Sequence, residues 1–103
     1  MNKNTKFKEV LLTNHARQRI AQRGIPLEAV QYVVSNGKGH NTHGEKKMYV
    51  NKKVWNKNLH NLDKKFISKF EKHILSIAII VDEPVDEPTV VTVMHKNKRV
   101  RWN

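Results

Sequence analysis

Apolar positions in the first third of the chain recur at helical spacing. Ala16 and Ile20, then Leu27, Val30, Val33 and Val34, fall three and four residues apart, the period of a buried stripe on a helix. Ahead of the first set, Thr13 offers an N-cap hydroxyl; behind it, Gly24 and Ile25 suit a left-handed C′ residue and its hydrophobic contact. The pattern predicts a helix from Thr13 to Arg23 and a second, shorter one over residues 27–36, stopped by Asn36-Gly37.

Beyond Gly37 the period changes. Gly37 to Gly44 reads as a polar loop, and Lys47-Met48-Tyr49-Val50 alternates as a half-exposed strand does. The continuous apolar run from Ile74 to Val81 predicts a central strand buried on both faces. Asp82-Glu83-Pro84-Val85-Asp86-Glu87-Pro88 doubles an Asp-Glu-Pro unit whose prolines place it in a turn. Thr89 to His95 is the next strand, and Arg99-Val100-Arg101-Trp102 is a short edge strand. Between the first two strands, Leu59, Leu62, Phe66 and Phe70 lie at i, i+3, i+7 and i+11, which predicts an amphipathic helix within residues 55–72. The expectation is a single α+β domain over residues 1–103, two N-terminal helices packed on a small antiparallel sheet with an extra helix inserted between strands.

Charge sharpens the picture. Twenty Lys and Arg against nine Asp and Glu give a formal charge of +11 over 103 residues, the electrostatic footprint of a protein that tracks phosphates. No apolar run approaches the roughly 20 residues of a membrane span. Met1 is followed by Asn, Lys and Thr rather than by an apolar signal core, so the expected location is cytoplasmic. There is no cysteine, which excludes disulfides and thiolate zinc sites. His40 and His43 are spaced as a ligand pair, yet no carboxylate or third histidine stands at a motif distance, so neither a metal nor another cofactor is expected.

The candidate chemistry lies in the first helix. His15, Arg19 and Arg23 stand at i, i+4 and i+8 and spread over only about 80° of the helical wheel, beside the sector of Ala16 and Ile20. Metal-independent RNA cleavage needs a base for the 2′-hydroxyl, a cation for the phosphorane charge and an acid for the leaving oxygen. His15 fits the base, Arg19 and Arg23 the phosphate clamp, and His95 or a neighbouring lysine the acid. A solvated basic face over Ala16 and Ile20 explains the same residues with no chemistry at all. Candidate nucleic-acid contacts are Arg17, Lys96, Lys98 and the same-side pair Arg99 and Arg101, with Tyr49 and Trp102 as aromatic platforms. Parity sets a limit: His95 shares a strand face with Val91 and Val93, whereas Thr92 points the other way unless a bulge intervenes.

The string His15-Ala16-x-x-Arg19-x-x-x-Arg23-Gly24-Ile25, the valine-rich second helix ending at Gly37 and the strand Val90-Val91-Thr92-Val93 together resemble domain-of-unknown-function family 4258. That family looks like a branch of the RelE-like superfamily of small ribonuclease toxins (barnase/EndoU/colicin/RelE type). The resemblance covers residues 13–37 and 74–95, leaves 51–72 as an insertion, and meets Pro26 where the family carries a capping serine. It implies a metal-independent endoribonuclease attacking through the 2′-hydroxyl, with Thr92 as a hydroxyl that orients phosphate. RNA, ribosome-associated or free, is the implied partner, together with an acidic antitoxin or immunity protein; a second copy of the chain is a further candidate. The rival reading is a non-catalytic basic module of helix-turn-helix type. Leu27, Val30, Val33 and Val34 leave too few polar side chains on the second helix for it to read bases.

Overall fold

A computed structural model describes residues 10–42, 45–82 and 89–96. In chain order these form β1 (Leu11–Leu12), α1 (Asn14–Arg23), α2 (Leu27–Asn36), β2 (Lys38–Thr42), β3 (Glu45–Tyr49), α3 (Lys52–Asn58), a 3-10 turn (Leu59–Asn61), α4 (Lys64–Ser76), β4 (Ile77–Asp82) and β5 (Thr89–His95). The fold is α+β, with helices layered on one five-stranded sheet of order β1-β5-β4-β3-β2. None of the described helices is long and apolar enough to cross a membrane.

The two N-terminal helices form where the periodicity puts them, and their ends follow from the capping residues. Thr13 Oγ1 accepts the Ala16 amide at 3.1 Å, and Gly24 closes α1 at φ 61°, a left-handed conformation that costs glycine nothing. Pro26, with φ −67°, opens α2 without a side-chain cap. Glu28 then supplies the acidic first turn that complements the helix dipole.

Four expectations need correction. The sheet is mixed, because β1 pairs in parallel with β5 while the remaining pairs are antiparallel; two leucines before a cap are too short a segment for periodicity to register. Residues 38–42, expected as loop, form β2, since an edge strand drawn from Lys, Gly, His, Asn and Thr gets its order from the ladder to β3 rather than from apolar alternation. The apolar run from Ile74 to Val81 is split: Ile74 is the last member of the α4 stripe Phe66, Phe70 and Ile74, and the strand begins at Ile77. Lastly, the inserted helix is two helices, because Asn51 caps α3 through the Val54 amide and Asp63 restarts the chain as N-cap of α4 by accepting the Lys65 amide. The acidic turn at 83–88 and the expected edge strand Arg99-Val100-Arg101-Trp102 lie outside the described residues.

Packing places the core on one face of the sheet. Ile77, Ile79 and Val81 of β4 and Val90 and Val93 of β5 are almost wholly buried, facing Ala16 of α1 and Ala29, Val30 and Val33 of α2. Beyond α2, the helical pair α3 and α4 adds Trp55, Phe66 and Phe70. Tyr32 meets Trp55 edge-on at 5.3 Å and Phe66 at 5.9 Å, so the aromatic stripe of the insertion is covered by α2 of the same chain. Trp55 Nε1 donates to Glu71 Oε1 at 2.8 Å, which joins α3 to α4.

Candidate nucleic-acid interface

α1 is anchored to β5 at one residue. Thr13 donates its amide to Val90 O at 3.1 Å and its hydroxyl to Val91 O at 2.9 Å, while the same hydroxyl caps the helix. Val91 is the extra residue of a bulge: Ile80 pairs with Thr92 and Val81 with Val90, so Val91 has no partner on β4 and its carbonyl is available to Thr13. From this shared origin helix and strand run side by side. Ten residues of α1 rise about 15 Å, and the four steps from Val91 to His95 extend about 13 Å, so the two elements end together.

That match explains why the end of α1 meets the end of β5. Arg23 Nη1 lies 3.2 Å from His95 Nδ1, and Arg19 Nε donates to His15 Nε2 at 3.5 Å. His15, Arg23 and His95 are exposed and Arg19 is half-buried, so the row borders the packed face yet opens to solvent. An arginine can only donate. Each contact therefore uses an imidazole lone pair, and in the Arg23 pair the ring proton of His95 is left on Nε2, pointing away from the guanidinium. A phosphate oxygen is a stronger acceptor for either guanidinium than an imidazole, so an incoming phosphate would draw the arginines away and free the imidazole lone pairs.

The remaining candidates are distributed differently. Arg17 is exposed but lies about 160° around the helix from Arg19, off the row. Because the bulge falls at Val91, before Thr92, it leaves the parity of Thr92 and His95 unchanged: His95 sits on the helix-covered face and Thr92 on the other. On that other face His40, Lys47, Ile80 and Thr92 are aligned across β2, β3, β4 and β5. Tyr49 belongs there too, but it is only 2% exposed, with His40 stacked on its ring at 5.6 Å and Lys96 Nζ 5.6 Å from its centroid. A base has no open face of Tyr49 to stack on. Lys96 is tied inward by its ammonium, which donates to Val50 O at 2.6 Å, and by its amide, which donates to Ser76 O at 2.7 Å; burial pushes the ammonium below the usual lysine range. Lys98, Arg99, Arg101 and Trp102 lie outside the described residues.

One polar contact escaped the sequence reading. His40 Nε2 is 2.8 Å from the Tyr49 hydroxyl, a pairing hidden because residues 38–42 read as loop rather than as a strand in register with β3. Among the described residues, no three His, Asp or Glu side chains group as a metal site.

The family model described as "Domain of unknown function (DUF4258)" matches residues 12–95. Neither the curated proteins nor the solved structures offer a significant match.

Proposed function

This chain belongs to the DUF4258 family, and on that premise we propose that it is a small RNA-binding domain of the RelE-like toxin type that cleaves RNA through attack by the 2′-hydroxyl. The observation that carries the reading is the Arg23–His95 contact at 3.2 Å, which adds a second imidazole to the row His15, Arg19 and Arg23. Two guanidinium groups flanked by two imidazoles supply the cation, base and acid that such cleavage requires. About 12 Å of helix rise separates His15 from Arg23, a span that the long side chains of Arg19 and Arg23, each already in contact with one imidazole, close toward a single reacting phosphate.

In this mechanism RNA displaces the imidazoles from the guanidinium groups. His15 Nε2, freed of Arg19, takes the proton of the 2′-hydroxyl as its oxygen attacks phosphorus. Arg19 and Arg23 hold the charge that builds on the phosphorane oxygens. His95, freed of Arg23, takes up a proton from water at Nδ1 and gives one from Nε2 to the departing 5′-oxygen. The P–O5′ bond breaks and a 2′,3′-cyclic phosphate remains. The test is incubation with single-stranded and ribosome-bound RNA in the presence of a chelator, with analysis of the product ends. Cleavage to cyclic phosphate is the expected result, and intact RNA on every substrate overturns the reading.

A second reading has its own observation. His15, Arg23 and His95 are exposed, whereas electrostatic catalysis gains most where water is excluded. A non-catalytic RNA-binding module uses the same row at full exposure. Retained RNA binding without any cleavage identifies it.

A further inference from the structure

Cations of two kinds are segregated on this molecule. Within residues 10–96 the only arginines are Arg17, Arg19 and Arg23, all on α1. The helical pair α3 and α4 carries none, yet residues 52–72 contain seven lysines, and every one of them is exposed. Lys53 and Lys57 are one turn apart on α3, and Lys65, Lys69 and Lys72 form a ridge along α4. The two acids in the same stretch have other tasks: Asp63 caps α4, and Glu71 accepts from the Trp55 indole.

What this surface lacks identifies its partner. Trp55, Leu62, Phe66 and Phe70 are buried, and Leu59 and Ile67 are partly buried against the core, so no large apolar side chain of this surface is exposed enough to enter a lipid interface. The same burial removes the aromatic anchors around which a protein interface is built. It also removes the large stacking platforms; every Phe, Tyr and Trp among the described residues is buried, and single strands gain much of their affinity by stacking. A polyanion that offers its backbone and keeps its bases paired fits what remains. Lysine, a flexible point charge, suits that contact because it needs no fixed bidentate geometry.

We infer that the lysine face of α3 and α4 docks double-stranded RNA through its phosphate backbone, apart from the arginine row of α1. The choice of RNA over DNA rests on the function proposed above; the docking surface itself rests on the charge and burial of the hairpin.

Three probes test this by fluorescence anisotropy across a salt series: an RNA duplex, one of its single strands, and a DNA duplex of the same sequence. Lys65→Glu with Lys69→Glu should weaken RNA-duplex binding at least tenfold at low salt and reduce the slope of log affinity against log salt by about 2, leaving the single strand unaffected. Should that variant melt earlier than the wild type, Lys65→Gln with Lys69→Gln replaces it, with a smaller loss expected in the same direction. Unchanged duplex binding overturns the inference, as does tighter binding of the DNA duplex than of the RNA duplex. Arg19→Gln with Arg23→Gln serves as the control. If it leaves single-strand binding intact, the α1 reading fails while the duplex result still decides this one.

Discussion

Arg23 and His95 stand 72 positions apart in sequence and 3.2 Å apart in space. Thr13 brings this about by fixing the start of α1 to the Val91 bulge, after which a 1.5 Å rise over ten residues and a 3.3 Å rise over four carry both elements to the same end. Their contact makes the strand terminus part of the helix row. If it carries catalysis, His15→Ala and His95→Ala should each lower RNA cleavage by about two to four orders of magnitude while leaving the melting temperature and RNA affinity nearly unchanged. Product analysis of the two variants beside the wild type checks this. Full activity in either variant removes that histidine from the mechanism.

Binding is a separate matter from cleavage, because phosphate contacts are governed by counterion release. Single-stranded RNA affinity should fall steeply with salt, and Arg19→Gln with Arg23→Gln should lower the log–log slope by about 2. Titrations at four or more salt concentrations measure that slope. A flat response in the wild type contradicts phosphate tracking altogether.

Thr13 performs two tasks with one hydroxyl, so its substitutions separate them. Thr13→Ser keeps both the cap and the bond to Val91 and should be close to neutral. Thr13→Ala loses both, at about 1–2 kcal/mol, and should also release the register between α1 and β5. Chemical denaturation reads the stability. The His95 ring resonances in NMR read the register, and an Ala variant in which they stay at the wild-type position would show that the anchor lies elsewhere.

How much of this was legible beforehand depends on whether order came from local chemistry or from partners. Thr13, Gly24 and the Ala16/Ile20 and Val30/Val33 spacings define α1 and α2 by local rules, and Thr89 to His95 is a strand by its run of β-branched residues. β1 and β2 were invisible because two leucines and the sequence Lys-Gly-His-Asn-Thr acquire strand geometry only from β5 and β3. The stripe of His15, Arg19 and Arg23 follows from helical periodicity, whereas the approach of His95 depends on a bulge and a matched length that no local pattern encodes. Tyr49 and Lys96 carried the residue types of nucleic-acid contacts, but tertiary packing spends both on the structure instead.

The insertion can be tested through Phe66. Its ring lies 5.9 Å from Tyr32 and 4.9 Å from Phe70 and is 7% exposed, so the stripe is covered within one chain. Phe66→Ala should cost about 3–5 kcal/mol, which for a domain of this size lowers the melting temperature by about 12 °C or more. The wild-type midpoint should not depend on protein concentration. A concentration-dependent midpoint would mean that a second copy completes the stripe.

Alkaline titration gives the last prediction, because the half-buried Lys96 and the buried Tyr32 act in opposite directions. Burial holds the Lys96 ammonium below its ordinary 10.5, so between that lowered value and 10.5 the unfolded chain binds more protons than the native one and stability rises with pH. Burial raises the Tyr32 phenol above 10.0, so from pH 10.0 upward the unfolded chain deprotonates first, the native state binds more protons, and stability falls. Stability plotted against pH should therefore gain from Lys96 on the way up and lose through Tyr32 above pH 10.0. Denaturation midpoints of the wild type, Lys96→Met and Tyr32→Phe across this range isolate each limb by difference. Lys96→Met should remove the rise and Tyr32→Phe should flatten the fall. Parallel profiles for wild type and Tyr32→Phe above pH 10.0 would mean that the phenol titrates in the folded protein as it does in the unfolded chain, which its 1% exposure between α2 and the aromatic stripe argues against.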